Sequence, residues 1–337
     1  MRQAVALAAL SLVLAAGASG AAAGQGQEPA ESRLSVEVLG GAGELALADL
    51  NAFSLHREAV YSTYYEAQSR YYESLYRDSF TSSFTREGAF PIIQRSWTGG
   101  ARVSYRFGRR LAATFGVEYL SRTRSASVRR TYATSAVNPD AVSFRSDETT
   151  TWEFEPNVVS VRAYTPMVGL RLAAWRRRGL RIDAVVQAGA TWGTCRLEEN
   201  SRSATTWYRL ETETSTRLRG HGIGFSGEAG LRAAWDTPHR WGVFVEASYQ
   251  RQRLTSVTGT ADRTSRVQDG DATSVEREAT TVVDGRWRMT PYAVTTAFVR
   301  LNQPYPDVTA GQNPAFALDL SGVRLRAGIS LRFGRRH

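Results

Sequence analysis

The chain has 337 residues and a formal net charge of +10, and every one of its 42 basic residues is an arginine. Its single cysteine, Cys195, excludes an internal disulfide. Beyond the N-terminus no stretch approaches eighteen consecutive apolar residues, which excludes a membrane-spanning helix.

Residues 1–23 read as a signal peptide. Arg2 supplies a positive start, Ala4–Ala16 forms an apolar run, and Ala21 and Ala23 fit a small-residue cleavage site. The chain is therefore expected to be exported, which argues against nucleic acid as the partner of its positive charge. A β-barrel domain is expected over residues 33–334.

Period-two alternation recurs along that domain, as in half-buried strands. Leu34, Val36 and Val38 alternate with Ser35 and Glu37, and a glycine bulge is expected near Gly40–Gly43. Trp97 to Phe107 alternates with Thr98, Arg102, Ser104 and Arg106. Leu111 to Tyr119 alternates with Thr114 and Glu118, and Val168 to Ala174 with Arg171. Leu180 to Trp192 alternates with Arg181, Asp183 and Gln187, and Ile223 to Trp235 with Glu228 and Arg232. Trp241 to Tyr249 alternates with Glu246 and Ser248, and Val323 to Phe333 with Arg324, Arg326 and Arg332.

The connections alternate between a few residues and long polar segments, roughly 52–95, 121–158, 198–219 and 255–319. That rhythm is the layout of an all-β, transmembrane up-and-down antiparallel barrel with short periplasmic turns and long extracellular loops. Eight strands are expected. A ten-stranded alternative would add "ATTVVDGRWRM" and "PYAVTTAFVRLN". Aromatics sort to two interface girdles: Phe107, Trp175, Trp235, Trp241 and Phe333 at the short-turn ends, Trp97, Tyr119, Trp192 and Tyr249 at the long-loop ends. A soluble sandwich has no reason to sort them so.

The closing comb "VRLRAGISLRF" and the eight-strand pattern together resemble the small bacterial outer-membrane barrel superfamily typified by OmpA and OmpX. The resemblance implies a bacterial outer-membrane location, surrounding lipid, and the barrel-assembly machinery as a partner for the C-terminal strand. In that family the chain ends on the terminal aromatic residue, whereas here four residues follow Phe333.

The inward parity collects Arg102, Arg106, Glu118, Arg171, Asp183, Glu228, Arg232, Glu246, Arg324, Arg326 and Arg332. An eight-stranded lumen is filled by side chains, so these charges are expected to pair into a plug; a narrow, porin-like channel or small-solute conduit is the alternative. In the first long loop Tyr61, Tyr65, Gln68, Tyr72 and Leu75 share one face of a helix. That face either binds a surface or packs on the barrel mouth. "ETETSTRLR" suits strands that continue above the membrane as hairpins, and loop arginines suit lipopolysaccharide phosphates.

The four histidines, His56, His221, His239 and His337, fall in no catalytic spacing, and no metal or cofactor motif occurs. The expected role is non-enzymatic: envelope structure or surface interaction through the loops.

Overall fold

The computed structural model describes residues 33–76, 80–107, 110–137, 145–177, 179–206, 210–237, 239–269, 272–281 and 318–333. The expected signal peptide, His337, and most of the segment that would supply a ninth and tenth strand lie outside them.

Eleven strands and one helix follow in chain order: β1 (Leu34–Glu44), α1 (Ala48–Tyr76), β2 (Phe80–Glu87), β3 (Arg95–Arg106), β4 (Leu111–Val137) and β5 (Arg145–Arg177). Then come β6 (Leu180–Thr205), β7 (Leu210–Asp236), β8 (Trp241–Asp269), β9 (Ala272–Thr281), β10 (Leu318–Asp319) and β11 (Gly322–Phe333). The ring runs β1-β3-β4-β5-β6-β7-β8-β11 and closes where β11 pairs with β1, all antiparallel. It is an eight-stranded up-and-down barrel. The ten-stranded alternative is not found: Ala279–Thr281 belong to β9, which pairs β8 above the ring.

The barrel strands are unequal. β1, β3 and β11 have 11 or 12 residues, while β4 to β8 have 26 to 33. The excess continues past the ring as one wall, edged by β2 on β4 and β9 on β8. The Thr-rich alternating "loops" are therefore mostly paired strand, with the ladders continuing past the ring and ending at the β2 and β9 edges.

The expected bulge in β1 is absent. Gly40 to Gly43 stay in continuous register with both β11 and β3. Gly41 and Gly43 serve space instead. A Cβ on Gly43 would lie 2.4 Å from Cδ of Arg324, and one on Gly41 would lie 2.1 Å from the carbonyl oxygen of Leu325.

The interior is layered. Nearest the short turns, the inward parity carries a cluster of buried charges, among them Glu37, Arg102, Arg171, Asp183, Arg232 and Arg326, interspersed with small and neutral residues. Above them Leu120, Val159, Val161, Ala163, Cys195, Leu197, Leu218, Leu254 and Val257 form an apolar layer. Three connecting segments plug into it, contributing Leu45 and Leu47, Ile93, and Leu318 and Leu320. Leu45 N donates to the Gln94 carbonyl at 2.8 Å and Leu47 N to the Asp319 carbonyl at 2.7 Å, so the inserted backbone is satisfied. Higher still, Phe90, Val128, Tyr132, Trp152 and Phe154 cluster on the inner side of the wall.

Helix α1 roofs that cluster. It starts at Ala48, well before the expected Tyr61, because Asn51 and Ser54 anchor it to the chain before β3. Asn51 accepts from Ile93 N and donates to Ile93 O, each at 2.9 Å, and Ser54 Oγ donates to Pro91 O at 2.9 Å. The tyrosine face packs inward, as the second of the two readings of that stripe requires. Tyr61 lies 5.4 Å from Phe154 and 5.8 Å from Trp152 between ring centroids, and Tyr65 stacks on Phe84 at 4.7 Å. Glu58 closes the contact on Arg130, which is 1% exposed.

Candidate functional site

The charged layer is built by strand parity. A side chain at an inward position of a narrow ring meets others from every strand, so the register decides who pairs. Two pairs form between neighbours in register: Arg326 with Glu246 at 2.9 Å and Arg232 with Asp183 at 3.9 Å. Four more join strands three places apart round the ring. Arg171 is bidentate on Glu37 at 2.9 Å on both oxygens, and Arg102 contacts Glu246 at 2.8 and 3.3 Å. Arg326 reaches Glu118 at 2.8 Å and Arg232 reaches Glu37 at 2.9 Å. These chords cross the lumen.

The network divides into two tiers. The inner tier holds Arg102, Arg326, Glu118, Glu228 and Glu246, with Glu228 on Arg326 and Gln187 accepting from Arg102 at 3.1 Å. The tier nearer the short turns holds Glu37, Arg171, Asp183 and Arg232, continued by Arg181, which lies 2.9 Å from both Asp183 and Asp236. Arg232 also lies 3.9 Å over the Phe244 ring. A Cβ on Gly328 would sit 2.6 Å from that ring, so the residue facing it can only be small.

Two arginines are held differently. Arg324 is fully buried and donates to neutral groups: Gln250 Oε1 and Ser96 Oγ at 3.0 Å and the Leu320 carbonyl at 2.8 Å. Arg332 sits at the short-turn mouth, 3.7 Å from Asp236, and donates to the carbonyls of Thr237, His239 and Trp241. Arg106 lines a cavity of about 30 Å³ at that mouth with Arg33, Arg110 and Glu37.

All eleven charged residues singled out in the sequence thus face the interior, and all but Arg106, Arg324 and Arg332 lie in the crossing network. Sequence reasoning left out Glu37, Arg181 and Asp236. The first two stand on the inward parity and were legible. Asp236 ends its strand, where alternation gives no vote.

The outside of the ring is the complement. Between the short turns and an upper edge marked by Trp97, Tyr119, Tyr164, Trp192, Ile223 and Tyr249, outward positions are apolar, glycine or proline on all eight strands, and on β8 outward Arg251 and Arg253 follow above Tyr249. Val38, Val168, Val186 and Leu231 are each about 60% exposed there. The nine girdle aromatics all point outward. Tyr164 joins the upper row, 4.8 Å from Tyr119, and Tyr105 the lower one, 5.2 Å from Phe107. His221 is exposed on the outer face of β7, while the side chain of His56 lies outside those described.

No helix among the described residues is long and apolar enough to cross a membrane, and no group of three or more metal-ligating side chains occurs among them. No family model matches the chain, and no curated protein matches it in sequence. Among solved structures the chain is similar to the translocator domain of the autotransporter NalP from Neisseria meningitidis. The identity is 10% over 98% of this chain and 97% of that one, and the TM-score of 0.18 is too low to carry an argument.

Proposed function

We propose that the chain is a bacterial outer-membrane barrel with a closed lumen, acting without catalysis as an envelope scaffold that presents its long outer wall at the cell surface. One observation carries this: an uninterrupted uncharged band encircles the ring between two aromatic rows. On β5 those rows are marked by Tyr164 and Trp175, and strand rise and tilt place them about 27 Å apart. Such a band matches a hydrocarbon core of about 25–30 Å. In water, that much exposed apolar surface would drive aggregation.

The ion-pair chords and the apolar layer above them support closure of the lumen. Membrane lipid is the surrounding partner. The comb of β11, which also closes the ring, is the segment offered to the barrel-assembly machinery. The wall offers a mixed-charge concavity of about 540 Å³, lined among others by Glu153, Arg202, Glu213 and Arg266, as a surface for interaction.

Refolding into liposomes followed by flotation, then recording across planar bilayers, tests both parts. The proposal expects the chain to float with the vesicles and to pass no unit current. A chain that stays dissolved and monodisperse without detergent contradicts the membrane reading. Stepwise conductance contradicts the closed lumen and favours the narrow-channel alternative.

A further inference from the structure

Just above the upper aromatic row the outer face changes character. Reading the register across β5, β6 and β7, the row Tyr164–Trp192–Ile223 is followed by Arg162–Thr194–His221 and then by Ser160–Arg196–Arg219. Arg162, Arg196, Arg219 and His221 are all exposed on this face. Arg196 and Arg219 are direct cross-strand partners, and like charges in that relation repel. Acidic residues enter only with the third row, where Arg217 lies between Glu198 and Asp262. Glu198 reaches down to Arg196, and Arg219 stands opposite Thr260.

With a strand tilt of about 40°, Arg162 stands about 5 Å, and Arg196 and Arg219 about 10 Å, above the row residue of their own strand, while the register row itself climbs about 3 Å from one strand to the next. That is the depth of lipid head groups when the aromatic row marks the edge of the hydrocarbon. Guanidinium groups bind phosphate bidentately, and the exposed hydroxyl of Thr194 is an additional donor.

We infer that Arg162, Arg196 and Arg219 form a specific site for the phosphorylated head group of an outer-leaflet glycolipid, whose acyl chains lie against Tyr164 and Trp192. The inference rests on the membrane reading above. It adds to that reading a fixed side of the barrel and a phosphate-dependent ligand. The occupant relieves the repulsion between Arg196 and Arg219, which is offset within the chain by Glu198 on Arg196.

The test uses the full mature chain refolded in zwitterionic detergent, with folding scored by a heat-modifiable gel shift and insertion by flotation with phosphatidylcholine vesicles. Binding of bisphosphorylated lipid A, of enzymatically dephosphorylated lipid A and of inorganic phosphate is then measured by native mass spectrometry and competition. The bisphosphorylated lipid is expected to bind about tenfold or more tightly than the dephosphorylated one, and R196S/R219S to lose that difference. Inorganic phosphate at equal concentration is expected not to displace the lipid. Equal binding of the two lipids by the unaltered protein overturns the inference without any variant. Displacement by free phosphate overturns the commitment to a lipid, and undiminished binding by folded R196S/R219S overturns the residues named. Failure to float with vesicles removes the membrane reading instead.

Discussion

The barrel and the wall above it are made by the same strands with opposite chemistry. On β5 below Tyr164 the outward residues are Val168, Leu170 and Leu172, and the inward ones include Arg171 and Thr165. Above Tyr164 the outward residues are Arg162 and Ser160, and the inward ones Ala163, Val161 and Val159. β4 flips at the same height, from outward Phe115 and Val117 with inward Glu118 to outward Ser121 and Thr123 with inward Leu120. So does β6, where Arg196 and Glu198 point out while Cys195 and Leu197 are buried. Across this boundary the backbone parity of β4, β5 and β6 does not change; the preferred surroundings do. On the membrane reading proposed above, a strand that turns its apolar side outward and then inward crosses from one solvent into another. On that reading the lower part has lipid outside and ion pairs inside, the upper part water outside and an ordinary hydrophobic core inside.

Substitutions in the two regions should therefore behave oppositely. The largest effect is expected inside the barrel. Arg326→Ala leaves Glu118, Glu228 and Glu246 without one shared buried cation and should cost about 3–5 kcal/mol in equilibrium unfolding from vesicles. A cost below about 1 kcal/mol would mean that water, not the pairing, satisfies those carboxylates.

The comparison sharpens with one substitution at two heights on the same face of β5. Leu170→Arg falls in the apolar band and should cost about 2–4 kcal/mol, whereas Val158→Arg, in register with Glu198, should stay within about 0.5 kcal/mol. Similar costs at both positions would erase the boundary. A smaller effect belongs to the roof of the wall. Glu58→Gln weakens the contact with Arg130 and should cost about 1–2 kcal/mol, read as faster proteolysis of α1 while the ring stays protected.

The smallest effect expected is a pH dependence of the wall. Burial pushes the Glu148 carboxyl above the usual carboxylate range, partly opposed by a hydrogen bond from Thr150. A raised carboxyl favours the fold fully below its unfolded value and loses that contribution as pH rises through the folded value. Because the group is half exposed, Glu148→Gln should change wall stability between pH 4 and pH 7 by only about a few tenths of a kcal/mol.

Much of this was legible in the sequence. Period-two alternation located all eight ring strands and the direction of the eleven lumen charges it singled out, because a narrow barrel forces strict alternation; it did not reach Asp236, which ends its strand. The girdle aromatics were legible for the same reason. What escaped was the continuation of β4 to β8, since above Tyr119 and Trp192 the apolar residues move to the other parity and the pattern reads as an ended strand. Gly40 to Gly43 misled in the same way: they suggested a bulge, while Gly41 and Gly43 leave room for the Leu325 backbone and Arg324. The pairing partners were not legible at all. Arg171 with Glu37 joins residues 134 positions apart, and only ring closure brings them together.

The solvent boundary can be measured directly. Spin labels placed singly at position 168 and at position 160, in a background carrying Cys195→Ala and reconstituted in vesicles, report access to dissolved oxygen and to a water-soluble nickel chelate. The label at 168 should be relaxed by oxygen and shielded from nickel, and the label at 160 should show the reverse. Equal nickel access at both positions would contradict a barrel whose outer face passes from lipid to water at the Tyr119–Tyr164–Trp192 row.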